Sequence, residues 1–161
     1  MKNMQRTAYL IITFVFVSNL AIARVGETLE QCKARYGQPI IQENTHGMYV
    51  FIKSGFYIMV GFGVDKKVAC ISYRKTGKDD LGQPQEITDE EIQIILKLNS
   101  NKKWERVLEI SFTNKLWTNE DKSYGANYDM LENTLVITNY EFAKKFQDKM
   151  KEIDKDKTNG L

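Results

Sequence analysis

The chain has few of the residues that most catalytic or metal sites require. Among its 161 residues it has one histidine, His46, and two cysteines, Cys32 and Cys70. A zinc site takes three or four nitrogen, sulfur or carboxylate ligands, and no such set is spaced around His46. A Cys–His pair would need one cysteine as a thiolate, which competes with disulfide formation in an oxidising compartment. The sequence therefore predicts no catalytic residue, metal site or cofactor.

Long apolar runs are also missing, except near the start of the chain. The charges of the first six residues precede an uncharged stretch that extends to Ala23 and is most apolar over 9–17. This run is shorter than the roughly 20 apolar residues of a membrane span. A basic start, an apolar centre and a small-x-small end are typical of a secretory signal peptide. We predict a signal peptide over 1–23, cleavage between Ala23 and Arg24, and no span afterwards; the alternative is a membrane anchor.

Neither sign of charge is in excess once this segment is removed. The whole chain has 23 basic and 21 acidic residues, and the segment contains two of the basic ones, Lys2 and Arg6. The mature chain is then formally neutral. Because phosphate binding depends on a net basic face, this balance argues against a nucleic-acid partner. We expect a single domain over 24–161, exported to the periplasm or the extracellular space of a bacterium.

The two cysteines are the residues that export would affect most directly. In an oxidising compartment a pair of cysteines is more often bonded than free. Cys32 shares a predicted helix face with Leu29 and Tyr36, and Cys70 lies in a predicted strand. A helix packed on a sheet can bring the two together, so we predict a Cys32–Cys70 disulfide. The alternative is two buried free thiols.

The sequence is rich in strand-forming residues over 48–75. Aromatic and β-branched residues dominate there, and turns at 53–55 and 63–66 divide the segment into three antiparallel strands. The alternation in the middle strand predicts one core face and one more open face. The two sets are Phe56, Ile58, Val60 and Phe62, and Tyr57, Met59 and Gly61. Such a sheet needs a covering layer on at least one side.

Three threonines carry the sequence signal of a helix start. Thr28, Thr88 and Thr138 are each followed three residues later by Glu or Gln, which permits a capping box. They predict helices over about 28–36, 89–98 and 140–153. The residues expected to be buried are Ile92, Ile95 and Leu96 in the second helix and Phe142, Phe146, Met150 and Ile153 in the third.

A second strand-rich block lies between the second and third predicted helices. Its predicted strands lie near 115–117, 124–130 and 135–137. The chain therefore predicts an α+β fold of antiparallel β-meanders covered by helices on one face, in the order α-βββ-α-βββ-α. Because a capped helix precedes three strands twice, we predict a tandem duplication with half-repeats 26–74 and 88–138.

The first predicted helix also carries a family resemblance. The residues GETLEQ at 26–31 lead to YGQP at 36–39. This pattern resembles the opening of small exported bacterial proteins with the BLIP-like fold, including the beta-lactamase inhibitory protein and the SmpA/OmlA component of outer-membrane assembly. The resemblance covers 26–74 and implies a helix leading into an antiparallel meander. The lipobox cysteine of the membrane-anchored members is missing here.

Five aromatic residues are candidates for a contact surface on the sheet. Large aromatic side chains dominate the energetics of protein interfaces, whereas the alternative is that they belong to the core. The candidates are Tyr49, Tyr57, Trp117, Tyr124 and Tyr128. We expect an exported non-catalytic binding or envelope-assembly module that uses a sheet face to contact another exported or envelope protein. The alternative is a small secreted hydrolase with an unrecognised site.

Overall fold

One seven-stranded antiparallel sheet forms the centre of the molecule. The structure, a computed structural model, describes residues 24–42, 48–107, 112–145 and 148. The predicted signal peptide, His46, Phe146, Met150 and Ile153 lie outside these residues. The strands are β1 (Met48–Lys53), β2 (Phe56–Phe62), β3 (Val68–Lys75), β4 (Trp104–Arg106), β5 (Asn114–Asn119), β6 (Tyr124–Asp129) and β7 (Thr134–Asn139), and the helices are α1 (Leu29–Tyr36) and α2 (Asp89–Asn99).

Two meanders meet in the middle of this sheet. The strand order is β1-β2-β3-β7-β6-β5-β4, and β3 pairs with β7 at positions such as Ile71 opposite Ile137. The α+β class and the antiparallel strands are therefore confirmed. The order differs from the predicted one because four strands follow α2. The additional strand, β4, pairs with β5, and its Trp104 Nε1 donates to Leu96 O of α2 at 2.8 Å.

The first two predicted helix starts are confirmed in atomic detail. Gln31 N donates to Thr28 Oγ1 at 3.4 Å, while Thr28 N donates to Gln31 Oε1 at 2.8 Å. Thr88 and Glu91 make the same reciprocal pair at 3.3 and 2.8 Å. Each box satisfies amide groups that the first helical turn cannot pair internally.

The third predicted capping box, at Thr138, is wrong, although the helix begins at about residue 140 as predicted. Thr138 belongs to β7, where its main chain pairs with Cys70 and its hydroxyl donates to Ala69 O at 3.3 Å. The cap is the next residue, since Asn139 Oδ1 accepts from Phe142 N at 2.6 Å. Helical residues then follow over 140–145.

The core lies between the two helices and one face of the sheet, which we call the core face. The predicted alternation in β2 is confirmed, because Ile58 and Val60 are buried and Phe56 and Phe62 pack beside them. Full burial of one such apolar side chain contributes about 1.5–3 kcal/mol. The helices contribute Cys32 and Tyr36 from α1 and Ile92, Ile95 and Leu96 from α2, and the sheet contributes Phe51, Ile58, Val60, Ile71, Tyr73, Trp117, Ala126, Tyr128, Leu135 and Ile137.

Candidate functional site

The second face of the sheet, which we call the open face, lies opposite α1 and α2. Cross-strand pairing arranges its side chains in three rows that run across the strands. The first row is Met48, Gly61, Cys70, Thr138, Gly125, Thr118 and Glu105; the second is Ile41, Val50, Met59, Ser72, Val136, Asn127 and Leu116; the third is Ile52, Tyr57, Arg74, Thr134, Asp129 and Asn114.

One end of the open face is apolar. Ile41 is 47% exposed, Ile52 43% and Tyr57 41%. Ile41 reaches this face because a short bridge pairs it with Val50 at the edge of β1. A contiguous exposed apolar group of this kind marks contact sites more often than scattered surface residues do. We call it the apolar patch, and its residues are Ile41, Met48, Val50, Ile52, Tyr57 and Met59.

The rest of the open face is mostly polar. Threonine and asparagine predominate on β5, β6 and β7, and Gly125 adds no side chain. With strands about 4.8 Å apart and rows about 6.7 Å apart, the face measures roughly 30 by 20 Å. That is about 600 Å², close to the roughly 800 Å² that each partner buries in a standard protein interface.

A cleft of about 330 Å³ adjoins the third row at the side of the apolar patch. Tyr57 and Arg74, which are cross-strand partners, form one wall, and the loop after β3 forms the other. Its described lining residues include three basic side chains and no acidic one: Tyr57, Arg74, Lys75, Thr76, Gly77, Lys78, Gly82, Gln83 and Pro84.

The aromatic residues predicted to form an interface are divided between the two faces. Only Tyr57 lies on the open face. Trp117 and Tyr128 are 5% and 0% exposed, because they pair with the core-face residues Ala126 and Leu135. Tyr49 and Tyr124 are half-buried against the same core. The prediction of Trp117 and Tyr128 as interface residues is therefore wrong, and both are core residues.

The predicted disulfide is also wrong, because both cysteines are free thiols. Cys32 is buried in the core beneath α1. Side chains alternate between the two faces of a strand. Because Ile71 points into the core, the side chain of its neighbour Cys70 lies on the open face, on the other side of the sheet from Cys32. Desolvation raises the pKa of the Cys32 thiol to about 12 and that of Cys70 to about 11. Both thiols are thus protonated at neutral pH and are weak nucleophiles.

Two tyrosines with strongly perturbed pKa values have structural roles. Desolvation raises the pKa of Tyr36 and of Tyr73, and both phenols lie in the core. Asn99 Nδ2 donates to Tyr73 Oη at 3.1 Å and to Ile95 O at 2.8 Å, which links α2 to β3. Within the described ranges no three histidine, cysteine or acidic side chains are grouped as metal ligands.

Another cleft, of about 550 Å³, lies near the end of β7. Asp65 and Glu141 line it together with the apolar side chains of Phe62 and Phe142. Asp65 Oδ1 accepts from Lys67 N at 3.1 Å, and so closes its own turn. The cleft brings no histidine, serine or cysteine nucleophile to these carboxylates among its described lining residues.

Comparisons with known proteins give neither a family nor a function. No protein-family model and no curated protein matches the chain. A DUF4309 family protein (YjgB) from Bacillus subtilis subsp. subtilis str. 168 is similar with a TM-score of 0.43 and 17% identity, over 75% of this chain and 82% of that one. An extracellular protein containing a SCP domain from Bacillus anthracis str. Ames has a TM-score of 0.38 and 12% identity, over 88% of this chain and 51% of that one.

These two descriptions name neither the BLIP-like nor the SmpA/OmlA group. The resemblance over 26–74 therefore stays a prediction. In the part of the chain that the structure describes, no helix is long and apolar enough to cross a membrane.

Proposed function

We propose that the chain is an exported, non-catalytic binding module that contacts another exported or envelope protein through its open face. The observation that carries this proposal is the apolar patch. Ile41, Ile52 and Tyr57 lie side by side on this face, each more than two-fifths exposed. Contact with a partner would remove this surface from water, at about 25 cal/mol for each Å² of apolar area.

The composition of the patch favours a protein partner. Tyrosine, methionine and arginine are enriched in protein interfaces, and Tyr57, Met59 and Arg74 adjoin one another on β2 and β3. The formally neutral mature chain argues against nucleic acid. The predicted signal peptide over 1–23 and the predicted BLIP-like resemblance favour export and a role in binding or envelope assembly.

We also propose that the two halves arose by tandem duplication. Each half begins with a boxed threonine, and the fourth and eighth residues after each cap are buried: Cys32 and Tyr36 in α1, Ile92 and Leu96 in α2. The last strands of the halves, β3 and β7, pair antiparallel, as a two-fold arrangement of like halves requires. The duplication predicts that equivalent positions of the two halves accept the same types of residue in homologous sequences. Different residue preferences at these positions would contradict it.

Two single substitutions in the patch test the binding proposal. Ile52→Asp and Tyr57→Asp place a charge on the patch without touching the core. Ile94→Asp is the matched control, because Ile94 is also exposed, at 52%, but lies on α2. Tagged mature protein should recover the same envelope protein as wild type when Ile94 is changed, and at least tenfold less of it when Ile52 or Tyr57 is changed. Equal recovery by all three variants would contradict the proposal.

A further inference from the structure

We infer that the cleft beside the apolar patch binds a carboxylate, and that the protein partner presents an aspartate or glutamate side chain to Arg74 and Lys78. This inference rests on the proposed function and specifies the partner's chemistry. We call the cleft the basic pocket; Tyr57, Arg74 and Lys78 are the residues that define it.

The position of Arg74 connects the pocket to the open face. Arg74 is the cross-strand neighbour of Tyr57 on β2 and of Thr134 on β7, and its side chain is exposed. A planar guanidinium beside an aromatic ring is suited to bidentate contact with a carboxylate. A chain seated on the apolar patch can therefore place an acidic side chain in the pocket without leaving the sheet.

The charges around the pocket leave Arg74 and Lys78 available. Lys75 Nζ lies 2.8 Å from Glu91 Oε2, so its charge is already paired. Within the described residues, Arg74 and Lys78 have no ion-pair partner. A bound carboxylate would thus add a charge-assisted hydrogen bond without breaking an existing pair.

Two of the neighbouring acids accept hydrogen bonds from main-chain amides. Asp79, which follows Lys78, accepts from Leu81 N and Gln83 N through Oδ1 at 2.9 and 2.8 Å. Asp129 lies further along the third row and caps its own turn, with Oδ1 accepting from Leu131 N at 2.9 Å. Both carboxylates therefore stabilise turns.

The wall of the pocket is ordered before any partner binds. Thr76 donates to Gly55 O from its main-chain N at 2.9 Å and from Oγ1 at 3.1 Å. Gln85 N donates to Gly77 O at 3.0 Å, which closes the loop on the other side. A preformed wall lowers the entropic cost of binding.

The same charges favour a protein over an anionic lipid surface. Attraction to an anionic membrane grows with the number of basic residues near it. The open face carries Asp129 and Glu105 as well as Arg74, so it offers one pocket of basic residues and no broad basic surface.

A matched pair of peptides tests the inference. The probes are the blocked peptide acetyl-Val-Ile-Asp-Val-amide and its Asn counterpart, titrated into 15N-labelled mature protein while the Arg74 side chain and the Gly77 and Lys78 amides are followed by NMR. We expect saturable shifts with the Asp peptide and about tenfold weaker binding of the Asn peptide. Arg74→Ala and Lys78→Ala should each weaken binding of the Asp peptide at least fivefold, Arg74→Lys less so, and the exposed control Lys97→Ala should leave it unchanged.

Each remaining result has a defined meaning. Equal binding of the Asp and Asn peptides would overturn the carboxylate site. If inorganic phosphate displaces the Asp peptide at the same concentration as acetate, the assignment of the site to a carboxylate is overturned. Sedimentation with phosphatidylglycerol vesicles that is lost in Arg74→Ala would overturn the assignment to a protein. If the peptide binds as expected but Tyr57→Asp still recovers the envelope partner, the pocket stands and the proposed function fails.

Discussion

Removing the hydroxyl of Tyr128 tests whether this residue belongs to the core or to an interface. Tyr128 Oη accepts from Ile87 N at 3.2 Å and lies 3.0 Å from Asn133 Oδ1, to which it donates. Asn133 Nδ2 in turn donates to Pro84 O at 2.9 Å. The phenol thereby joins β6 to the segment that leads into α2. A buried group that loses its partner costs about 1–3 kcal/mol, so Tyr128→Phe should lower the free energy of unfolding by about 2 kcal/mol.

Urea unfolding followed by tryptophan fluorescence measures this change. For a urea dependence of about 2 kcal/mol per M, the midpoint should fall by about 1 M. The control is Tyr140→Phe, at an exposed tyrosine, which should change the free energy by less than about 0.5 kcal/mol. An unchanged midpoint for Tyr128→Phe would mean that the hydroxyl is solvated, as an interface residue requires, and would refute its place in the core.

The thiols, a helix cap and an ion pair supply the other predictions. When the protein is denatured without reduction and treated with an alkylating reagent, its intact mass should show two alkylated thiols, Cys32 and Cys70. A mass without alkylation would show that the two cysteines form a disulfide. Thr88→Ala should lower the free energy of unfolding by about 1 kcal/mol while Thr88→Ser retains most of it, as thermal unfolding will show. Desolvation opposes ionisation of Glu91, but the Lys75 ammonium and the Thr88 amide lower its pKa from 4.5. Its carboxylate therefore stabilises the fold above the unfolded pKa, and this stabilisation is lost as the pH falls through the folded pKa. Between pH 5 and 3, wild type should lose more stability than Glu91→Gln, and equal losses would contradict this.

Local periodicity was sufficient to predict most elements of the fold. The alternation over 56–62 depends only on the two-residue period of a strand, and the boxes at Thr28 and Thr88 depend only on neighbours three residues away. Thr138 matches the same local pattern, yet its main chain pairs with Cys70 in the sheet. Thr138 could cap a helix or belong to a strand, and its pairing with a strand 68 residues earlier in the chain decides between the two. No local pattern contains that information.

The site depends on long-range register, so the sequence predicted less of it. The sequence does not show which face of the sheet α1 covers, so it predicts a Cys32–Cys70 pair although Cys70 alternates with the core residue Ile71. For the same reason the sequence predicts Trp117 and Tyr128 at an interface. No local pattern indicates Arg74, since its position beside Tyr57 follows from the pairing of β2 with β3 and from the loop that closes the pocket.

Site-specific photocrosslinking tests the central claim, that the open face is the surface that contacts a protein partner. A photoreactive phenylalanine analogue is placed at Tyr57 on the open face or at Ile94 on the outer side of α2, both exposed. In cells that export the protein, the probe at 57 should give one discrete crosslinked polypeptide that weakens when Arg74→Ala is added, and the probe at 94 should not give it. Crosslinks of equal yield from both positions, or from 94 alone, would contradict the account.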